Sequence, residues 1–247
     1  GLVQQGIEVE VVAVVCERSE VGRQVVDGVI VHRLKAHLNI SSTPITLALP
    51  IFLRKRAKEF DVLHFNFPYP WTDVLYRAFY SDKKTVITYH CDIFRAPGTV
   101  SGKLLRLYRP IIRSVLSKMP SIITSSPNLI KQSPFLYPNR DRCHVIPMPV
   151  DLSLFEKPAL QEMSLIKEKY GSYALFVGRL VPYKGVAHLI EGITKVNGVN
   201  LVIVGRGPLE DELRKQVSQL ELDNRVFFLG KVSDEKLCSL YHGCACF

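Results

Sequence analysis

Hydrophobic positions along the chain alternate between short β-branched runs and longer stretches of helical periodicity. Strands are predicted at residues 7–16, 25–32, 62–67, 85–90, 121–124, 144–146, 173–177, 200–204 and 225–229. Helices are predicted at residues 43–60, 72–80, 101–118, 127–131, 185–195, 208–220 and 233–241. Near-continuous apolar strands separated by helices are typical of parallel sheets covered on both faces. The pattern therefore predicts an α/β protein.

The strand signal stops in a stretch that is rich in proline. Pro147, Pro149 and Pro158 punctuate it, and a polar segment over residues 161–169 follows. Such a stretch is typical of a domain boundary. We predict two Rossmann-like, doubly wound parallel-sheet domains, residues 1–150 and 151–247, that face a cleft. Ligands of such sheets bind at the carboxyl ends of the strands.

Charge is distributed unevenly between these two domains. Residues 1–150 carry 20 Lys and Arg against 11 Asp and Glu, whereas residues 151–247 carry 12 of each. Lys103, Arg106, Arg109 and Arg113 fall on one face of a predicted helix. This face is either a peripheral anchor for an anionic membrane surface or a solvated surface. The apolar runs are too short to predict a membrane-spanning helix.

The six cysteines do not indicate a disulfide framework. Cys16, Cys91 and Cys143 each stand near a predicted strand, which favours reduced and buried side chains. Cys238, His242, Cys244 and Cys246 lack the paired spacing of zinc sites, and the two last cysteines are predicted to point into the core. No metal ligand set is predicted.

The strongest candidate chemistry follows the strand predicted at residues 173–177. Gly178 and Arg179 come directly after it, and Lys184 and Gly185 open the next helix. A guanidinium and an ammonium beside a helix N-terminus favour an anion, and a diphosphate fits best. The alternative is a loop whose cations stay in water.

Several further motifs accompany this one. Residues 204–208 are Val-Gly-Arg-Gly-Pro, residues 228–232 are Phe-Leu-Gly-Lys-Val, and comparable motifs lie at residues 61–64, 86–92, 124–127 and 145–151. In this order and spacing they resemble glycosyltransferase family 4. The resemblance implies a retaining nucleotide-sugar transferase with the two-domain GT-B fold.

The resemblance also implies roles for residues of the second domain. Arg179 and Lys184 would hold the donor diphosphate and stabilise the negative charge that grows on it as the glycosidic bond breaks. Gly205 and Gly207 would let the backbone approach the ligand. The donor-binding residues implied are Gly178, Arg179, Lys184, Gly205, Gly207 and Val232.

In the first domain, His90 matches a histidine that lies beside the transferred sugar in this family. As a catalytic residue it would donate a hydrogen bond there, and the alternative is a core histidine satisfied by backbone. Asp92 orients the acceptor or His90, or caps the loop. Trp71 lines the acceptor side, or packs against the sheet edge.

The resemblance predicts transfer of a sugar from a nucleotide-diphosphate sugar to a glycan or glycolipid hydroxyl of a cell-envelope polysaccharide. The lone cysteines predict a cytoplasmic enzyme, and no metal or other cofactor is predicted. The basic helix face leaves peripheral binding to the membrane open as one of its two interpretations. A nucleotide-sugar epimerase of the same fold and a non-catalytic binding module are the alternatives; no nucleic-acid partner is predicted. The family's Glu-x7-Glu motif, Gly-rich loop and first strand are not found, so we predict an incomplete fragment, truncated at both ends, that is inactive and poorly stable alone.

Overall fold

The computed structural model describes residues 2–40, 43–79, 84–93, 100–150 and 152–247. Tyr80, the predicted end of a helix, and Asp151, the last residue of one motif, lie outside the described residues. The chain forms two compact units, Gly1–Met148 and Pro149–Phe247. No helix within the described ranges is long and apolar enough to cross a membrane.

The first unit opens with a mixed three-stranded sheet. Its strands are β1 (Glu10–Val15), β2 (Gly22–Val26) and β3 (Val29–Lys35), in the order β1-β3-β2. β1 runs parallel to β3, and β2 runs antiparallel to it. Asp27 and Gly28 have φ angles of 50° and 80°, as in a two-residue hairpin turn. The prediction of one strand over residues 25–32 is wrong because this turn divides it.

A small antiparallel ladder precedes the first helix. Its strands are β4 (Leu38–Ile40) and β5 (Thr43–Ile45), and helix α1 (Ala48–Arg56) follows, with a 3-10 turn at Ala57–Glu59. The predicted helix over residues 43–60 is wrong in its first turn, because proline and β-branched residues favour the extended backbone of β5. The side chain of Thr46 accepts a hydrogen bond from the backbone N–H of Ala48 at 3.2 Å, where the helix begins.

A parallel four-stranded sheet forms the larger part of the first unit. Its strands, in spatial order, are β6 (Leu63–Phe67), β7 (Thr85–Tyr89), β8 (Ser121–Thr124) and β9 (Cys143–Val145). The helices are α2 (Pro70–Phe79), α3 (Val100–Lys118) and α4 (Pro127–Gln132). The predicted elements agree with these to within two residues at each end.

The two faces of this sheet differ. Phe65, Phe67, Ile87 and Tyr89 are buried on one face, in a core shared with α3. The alternate positions of β6 point to the opposite face, where His64 and Asn66 are exposed. This second face carries part of the candidate site.

The second unit is a parallel sheet with helices on both faces. Its strands are β10 (Tyr173–Val177), β11 (Asn200–Val204) and β12 (Val226–Gly230), in that spatial order. Its helices are α5 (Leu160–Tyr170), α6 (Val186–Ile193), α7 (Glu210–Gln219) and α8 (Asp234–Gly243). Separate apolar clusters fill the two sides of the sheet, and Leu201 and Val202 are fully buried on opposite sides.

The polar segment over residues 161–169 forms α5, which the hydrophobic pattern does not predict. Only Ile166 and Tyr170 of this helix are buried, whereas Leu160 and Leu165 are 77% and 61% exposed. The buried stripe is therefore too narrow to stand out from the exposed leucines.

The cysteine predictions are wrong in part. Cys16 and Cys91 are exposed and Cys143 is half-buried. At the chain end, Cys244 is half-buried and Cys246 is exposed, although the backbone carbonyl of Cys246 accepts from the N–H of Leu175 at 2.8 Å. A position near a strand thus does not by itself place a thiol in the core.

Candidate functional site

The loops at the carboxyl ends of β10, β11 and β12 are joined by backbone hydrogen bonds. The N–H of Gly178 donates to the carbonyl of Val204 at 2.9 Å, and the N–H of Leu180 donates to the carbonyl of Arg206 at 3.1 Å. The N–H of Gly205 donates to the carbonyl of Gly230 at 2.7 Å. These bonds continue the ladder beyond the strands and fix the backbone on which the candidate cations stand.

The structure shows why glycine is needed at positions 205 and 207, which the sequence alone does not reveal. A Cβ on Gly205 would lie 2.0 Å from the carbonyl oxygen of Gly178, and one on Gly207 would lie 2.3 Å from that of Leu180. Gly205 also has a φ of 126°, which L-residues rarely adopt. Both glycines are therefore required where one loop packs against another, whether or not a ligand approaches.

Arg179 and Lys184 extend from an anchored segment. Between them, Leu180 is fully buried and Val181 is 8% exposed, so the apolar residues hold the loop to the core. Both cations are exposed. Among the described residues the guanidinium of Arg179 makes no hydrogen bond or ion pair, and the Lys184 ammonium only faces the ring of Tyr183, 5.9 Å from its centroid.

Gly185 joins this segment to α6. It has a φ of 69°, which ends the 3-10 turn Pro182–Lys184 and lets α6 begin at Val186. A left-handed residue at this point favours glycine. Lys184 thus stands directly before the N-terminus of α6, where free amides and the helix dipole favour an anion.

A concave region of about 560 Å³ lies at the same edge of the sheet, beside the ends of β11 and β12. Arg206 lines it and is exposed, and a Cβ on Gly230 would lie 3.3 Å from the Nε atom of Arg206. Arg214 also lines it, lies over the ring of Phe228 and forms an ion pair with Glu210 at 2.9 Å. Arg206 has no assigned role in the sequence analysis, although its place after a strand end is the signal that identified Arg179.

Val232 lies beyond β12, and its side chain packs against the apolar cluster between the sheet and α8. Its side chain is therefore part of the core. The donor-binding role that the resemblance implies for Val232 would therefore fall to its backbone.

In the first unit, His90 lies at the carboxyl end of β7. Its backbone N–H donates to the carbonyl of Phe67 at 3.1 Å, and its Nε2 atom lies 3.0 Å from Oδ1 of Asn66. The side chain is exposed rather than held in a core. Nearby, Nε2 of His64 lies 2.7 Å from the hydroxyl of Thr88. Partial loss of hydration at the sheet surface, and to a lesser extent the charge of His90, lower the pKa of His64 below its usual range.

Asp92 joins the end of β7 to the segment after α4. Its Oδ1 atom accepts hydrogen bonds from the hydroxyl groups of Tyr89 at 2.5 Å and Ser133 at 2.8 Å. Burial, together with the Asp92 hydrogen bond, raises the pKa of Tyr89 well above its usual range. Within the described ranges no hydrogen bond joins Asp92 to His90. Asp92 lies at the edge of the candidate site, and its contacts there link parts of the fold.

Trp71 packs toward the β4–β5 ladder. Its indole N–H donates to the carbonyl of Thr46 at 2.9 Å, and the hydroxyl of neighbouring Tyr69 donates to the carbonyl of Pro44 at 2.6 Å. The ring is half-buried. These contacts match the alternative in which this aromatic loop packs against a sheet edge.

Asp73 is a buried carboxyl group that the sequence analysis does not single out. It is 1% exposed and accepts a hydrogen bond from the hydroxyl of Tyr108. Burial raises the pKa of Asp73 to about 7, although the Tyr108 hydrogen bond opposes the shift. Its position in the first turn of α2, where acidic residues are common, gives no sequence signal that its carboxyl group is buried.

The cysteine and histidine residues near the chain end do not come together. His242 places its Nε2 atom 2.7 Å from the backbone carbonyl of Phe155, and Cys238 is buried. Across the part of the chain that the structure describes, no group of three or more His, Cys, Asp or Glu side chains is arranged to hold a metal ion.

Comparison with known families gives matches over nearly the whole chain. Residues 1–154 match a family model described as Glycosyltransferase Family 4, and residues 160–247 match one described as Glycosyl transferases group 1. The two models meet close to the boundary between the two units.

Two relatives are similar in sequence over most of the chain. D-rhamnosyltransferase WbpZ of Pseudomonas aeruginosa is 36% identical over 214 residues, which cover 86% of this chain and 54% of the relative. O-antigen chain mannosyltransferase C of Escherichia coli is 32% identical over 211 residues, which cover 85% and 55%. The chain spans about half the length of these two relatives.

Solved structures support the fold. Sucrose-phosphate synthase from Thermosynechococcus elongatus superposes with a TM-score of 0.73 at 20% identity, over 99% of this chain and 66% of that one. Anabaena Alr3699/HepE, in complex with UDP and glucose, superposes with a TM-score of 0.66 at 20% identity, over 88% and 60%. The Rossmann-like units of this chain thus have the GT-B fold of these proteins.

Proposed function

Because the chain belongs to glycosyltransferase family 4, we propose that it acts in sugar transfer from a nucleotide-diphosphate sugar to a hydroxyl of a glycan or glycolipid. The acceptor is a growing cell-envelope polysaccharide. This proposal is supported by the names of the two relatives, one a rhamnosyltransferase and the other an O-antigen chain mannosyltransferase. The epimerase alternative has no such support.

The observation that carries the proposal is the pair of exposed cations on an anchored loop. A donor diphosphate gains negative charge as its bond to the sugar breaks, and preorganised cations stabilise that charge more than the ground state. Arg179 offers a planar fork of donors and Lys184 a compact charge before the N-terminus of α6. In this proposal the two side chains supply the positive charge that a metal ion supplies in other transferases.

His90 contacts the transferred sugar in this proposal, and the sugar keeps its anomeric configuration. The side chain suits this role because it is exposed and stands at the carboxyl end of a parallel strand. Gly205 and Gly207 act by fixing the loops beside the cations, and the backbone beyond Gly230 meets the nucleobase.

The test is nucleotide binding by the 247-residue chain, measured calorimetrically with UDP and GDP. Replacing Lys184 by Ala should weaken the affinity for the nucleotide that binds by about 10- to 100-fold, as for loss of a charged hydrogen bond. Lys195→Ala, at the other end of α6, is the matched control and should bind like the parent chain. Equal affinity of the Lys184→Ala chain would remove the central claim.

We also propose that α3 binds the anionic cytoplasmic face of a membrane. Lys103, Arg106, Arg109 and Arg113 are exposed, and none of them forms an ion pair with a described residue. Between them Leu107 is 75% exposed. Exposed leucine beside unpaired cations suits insertion at an anionic interface.

Co-sedimentation with vesicles tests this surface. Arg106→Glu with Arg109→Glu should abolish binding to phosphatidylglycerol vesicles, while neutral phosphatidylcholine vesicles bind neither chain. Lys195→Glu with Lys215→Glu, which makes the same charge change in the second unit, should leave binding intact. Equal loss in both double variants, or stronger retention on RNA than on the anionic vesicles, would overturn the proposal.

A further inference from the structure

We infer that Asn66 is a positioning residue for His90 and that it fixes the orientation and the tautomer of the imidazole ring. The relevance of this inference to sugar transfer rests on the proposed function. The inference itself concerns two neighbouring side chains of the first unit, whose ring and amide atoms lie 3.0 Å apart.

Strand register brings the two residues together. β6 and β7 run parallel, with Asn66 opposite Thr88 and Phe67 opposite Tyr89. Asn66 and Thr88 therefore share a face of the sheet, and His90 follows two residues after Thr88. The backbone N–H of His90 is tied to the carbonyl of Phe67 at 3.1 Å, so its Cα position is fixed by the ladder.

The opposite face of the same strands is packed into the core. Phe67 and Tyr89 are 1% and 0% exposed, and their rings stack with centroids 4.3 Å apart and planes 8° apart. A slip of either strand would disrupt this stacked pair. The separation of Asn66 from His90 is therefore set by the core rather than by a mobile loop.

The chemistry of the contact selects one tautomer. An amide oxygen only accepts hydrogen bonds, so the Nε2 atom of His90 must carry the proton that Oδ1 of Asn66 accepts. In the neutral imidazole the proton is then absent from Nδ1. Neutral His90 thus presents Nδ1 as a hydrogen-bond acceptor for a sugar hydroxyl, and it donates from Nδ1 only as imidazolium. This reverses the donor role given to His90 by its sequence position.

The adjacent pair provides an internal contrast. His64 faces the hydroxyl of Thr88 at 2.7 Å. A hydroxyl both donates and accepts, so Thr88 does not select a tautomer of His64. Thr88→Val therefore changes the same sheet face without removing the group that holds His90.

The experiment is a two-bond proton–nitrogen correlation spectrum of the 247-residue chain labelled with 15N-histidine, recorded above the titration range of the histidines. The His90 signals are assigned from their loss in His90→Gln. We expect a protonated Nε2 and an unprotonated Nδ1 in the parent chain and in Asn66→Asp. We expect a mixture of tautomers in Asn66→Ala, and His90 signals unchanged in Thr88→Val. An unprotonated Nε2 in the parent, or unchanged tautomers in Asn66→Ala, would overturn the inference.

A binding readout separates this inference from the proposed function. Asn66→Ala should leave affinity for the free nucleoside diphosphate within about twofold, because the diphosphate site is not altered, and should weaken binding of the matching nucleotide-sugar about tenfold, as loss of one hydrogen bond does. Asn66→Asp should bind the nucleotide-sugar with the affinity of the parent chain. If the parent chain binds no nucleotide, the proposed function fails while the tautomer measurement still decides the role of Asn66.

Discussion

In the second unit, the loops after β10, β11 and β12 are joined by backbone hydrogen bonds and close glycine contacts, whereas side-chain hydrogen bonds add to the backbone contacts at the carboxyl ends of β6 and β7 in the first unit. Arg179 and Lys184 have no acidic partners among the described residues. His90 and Asp92 already have protein partners, Asn66 for the first and Tyr89 with Ser133 for the second. One sheet edge thus leaves its charged side chains without protein partners, whereas the other uses polar contacts to hold its side chains in place.

Gly205→Ala should give the largest effect, because it breaks the backbone contacts of the second unit. The new methyl group would lie 2.0 Å from a carbonyl oxygen, at a backbone φ of 126°. We expect the free energy of unfolding to fall by about 4 kcal/mol or more, beyond ordinary overpacking. Urea denaturation measures it.

Gly192→Ala is the matched control for that substitution. Gly192 lies within α6, where a Cβ would meet no atom within 4 Å. Alanine there should raise the stability by up to about 1 kcal/mol, since it favours the helix. A Gly205→Ala chain as stable as the parent would show that the loops of the second unit are not held by this close approach.

Asp73→Asn tests the buried polar contacts of the first unit, because it replaces the buried carboxyl group that accepts from Tyr108 by a neutral amide. The folded pKa of Asp73, about 7, lies above its unfolded value of about 4. The contribution of protonated Asp73 to the free energy of unfolding is therefore fully present below pH 4 and decreases as the pH rises toward 7. Above pH 7 it changes no further. Asp73→Asn should remove this loss and be more stable at pH 8 by up to about 4 kcal/mol.

Urea denaturation from pH 4 to 8 follows this effect, with the exposed Asp61→Asn as control. Parallel pH profiles for the parent chain and Asp73→Asn would mean that the carboxyl group ionises freely in the folded state. The tyrosine hydroxyl would then not be facing a buried acid.

Tyr89→Phe should give a smaller effect. It removes one of the two hydroxyl donors to Asp92 and leaves that of Ser133 in place. We expect a loss of about 1 kcal/mol in the free energy of unfolding, typical of one hydrogen bond. Tyr137→Phe, at a 54% exposed ring, should cost less than half of that. Equal effects of the two changes would argue against a structural role for Asp92.

Local sequence patterns predict the parallel strands and most helices from β6 onward, because the apolar periodicity there reflects the burial of one or both faces of each element. Arg179 and Lys184 are found the same way, since each stands within a few residues of a strand or helix end. The Asp27–Gly28 hairpin and α5 are missed, one because a turn interrupts an apolar run and the other because its buried stripe is narrow.

The contacts that complete the candidate site depend on distant residues. Asn66 meets His90 only through the register of two strands that are separated along the chain by α2. The requirement for Gly205 arises from the carbonyl of Gly178, and the raised pKa of Asp73 from burial against α3. A local sequence pattern gives no information about these distances. The roles of Asn66, Gly205 and Asp73 can therefore be recognised only in the folded structure.

The central claim is that a nucleoside diphosphate binds at the carboxyl edge of the second sheet. Amide hydrogen exchange of the 247-residue chain, measured by mass spectrometry with and without saturating UDP or GDP, tests it most directly. We predict slower exchange at residues 178–186, 205–207 and 230–232, and unchanged exchange in the β2–β3 hairpin. Protection absent from these three segments, or confined to the first unit, would contradict the claim.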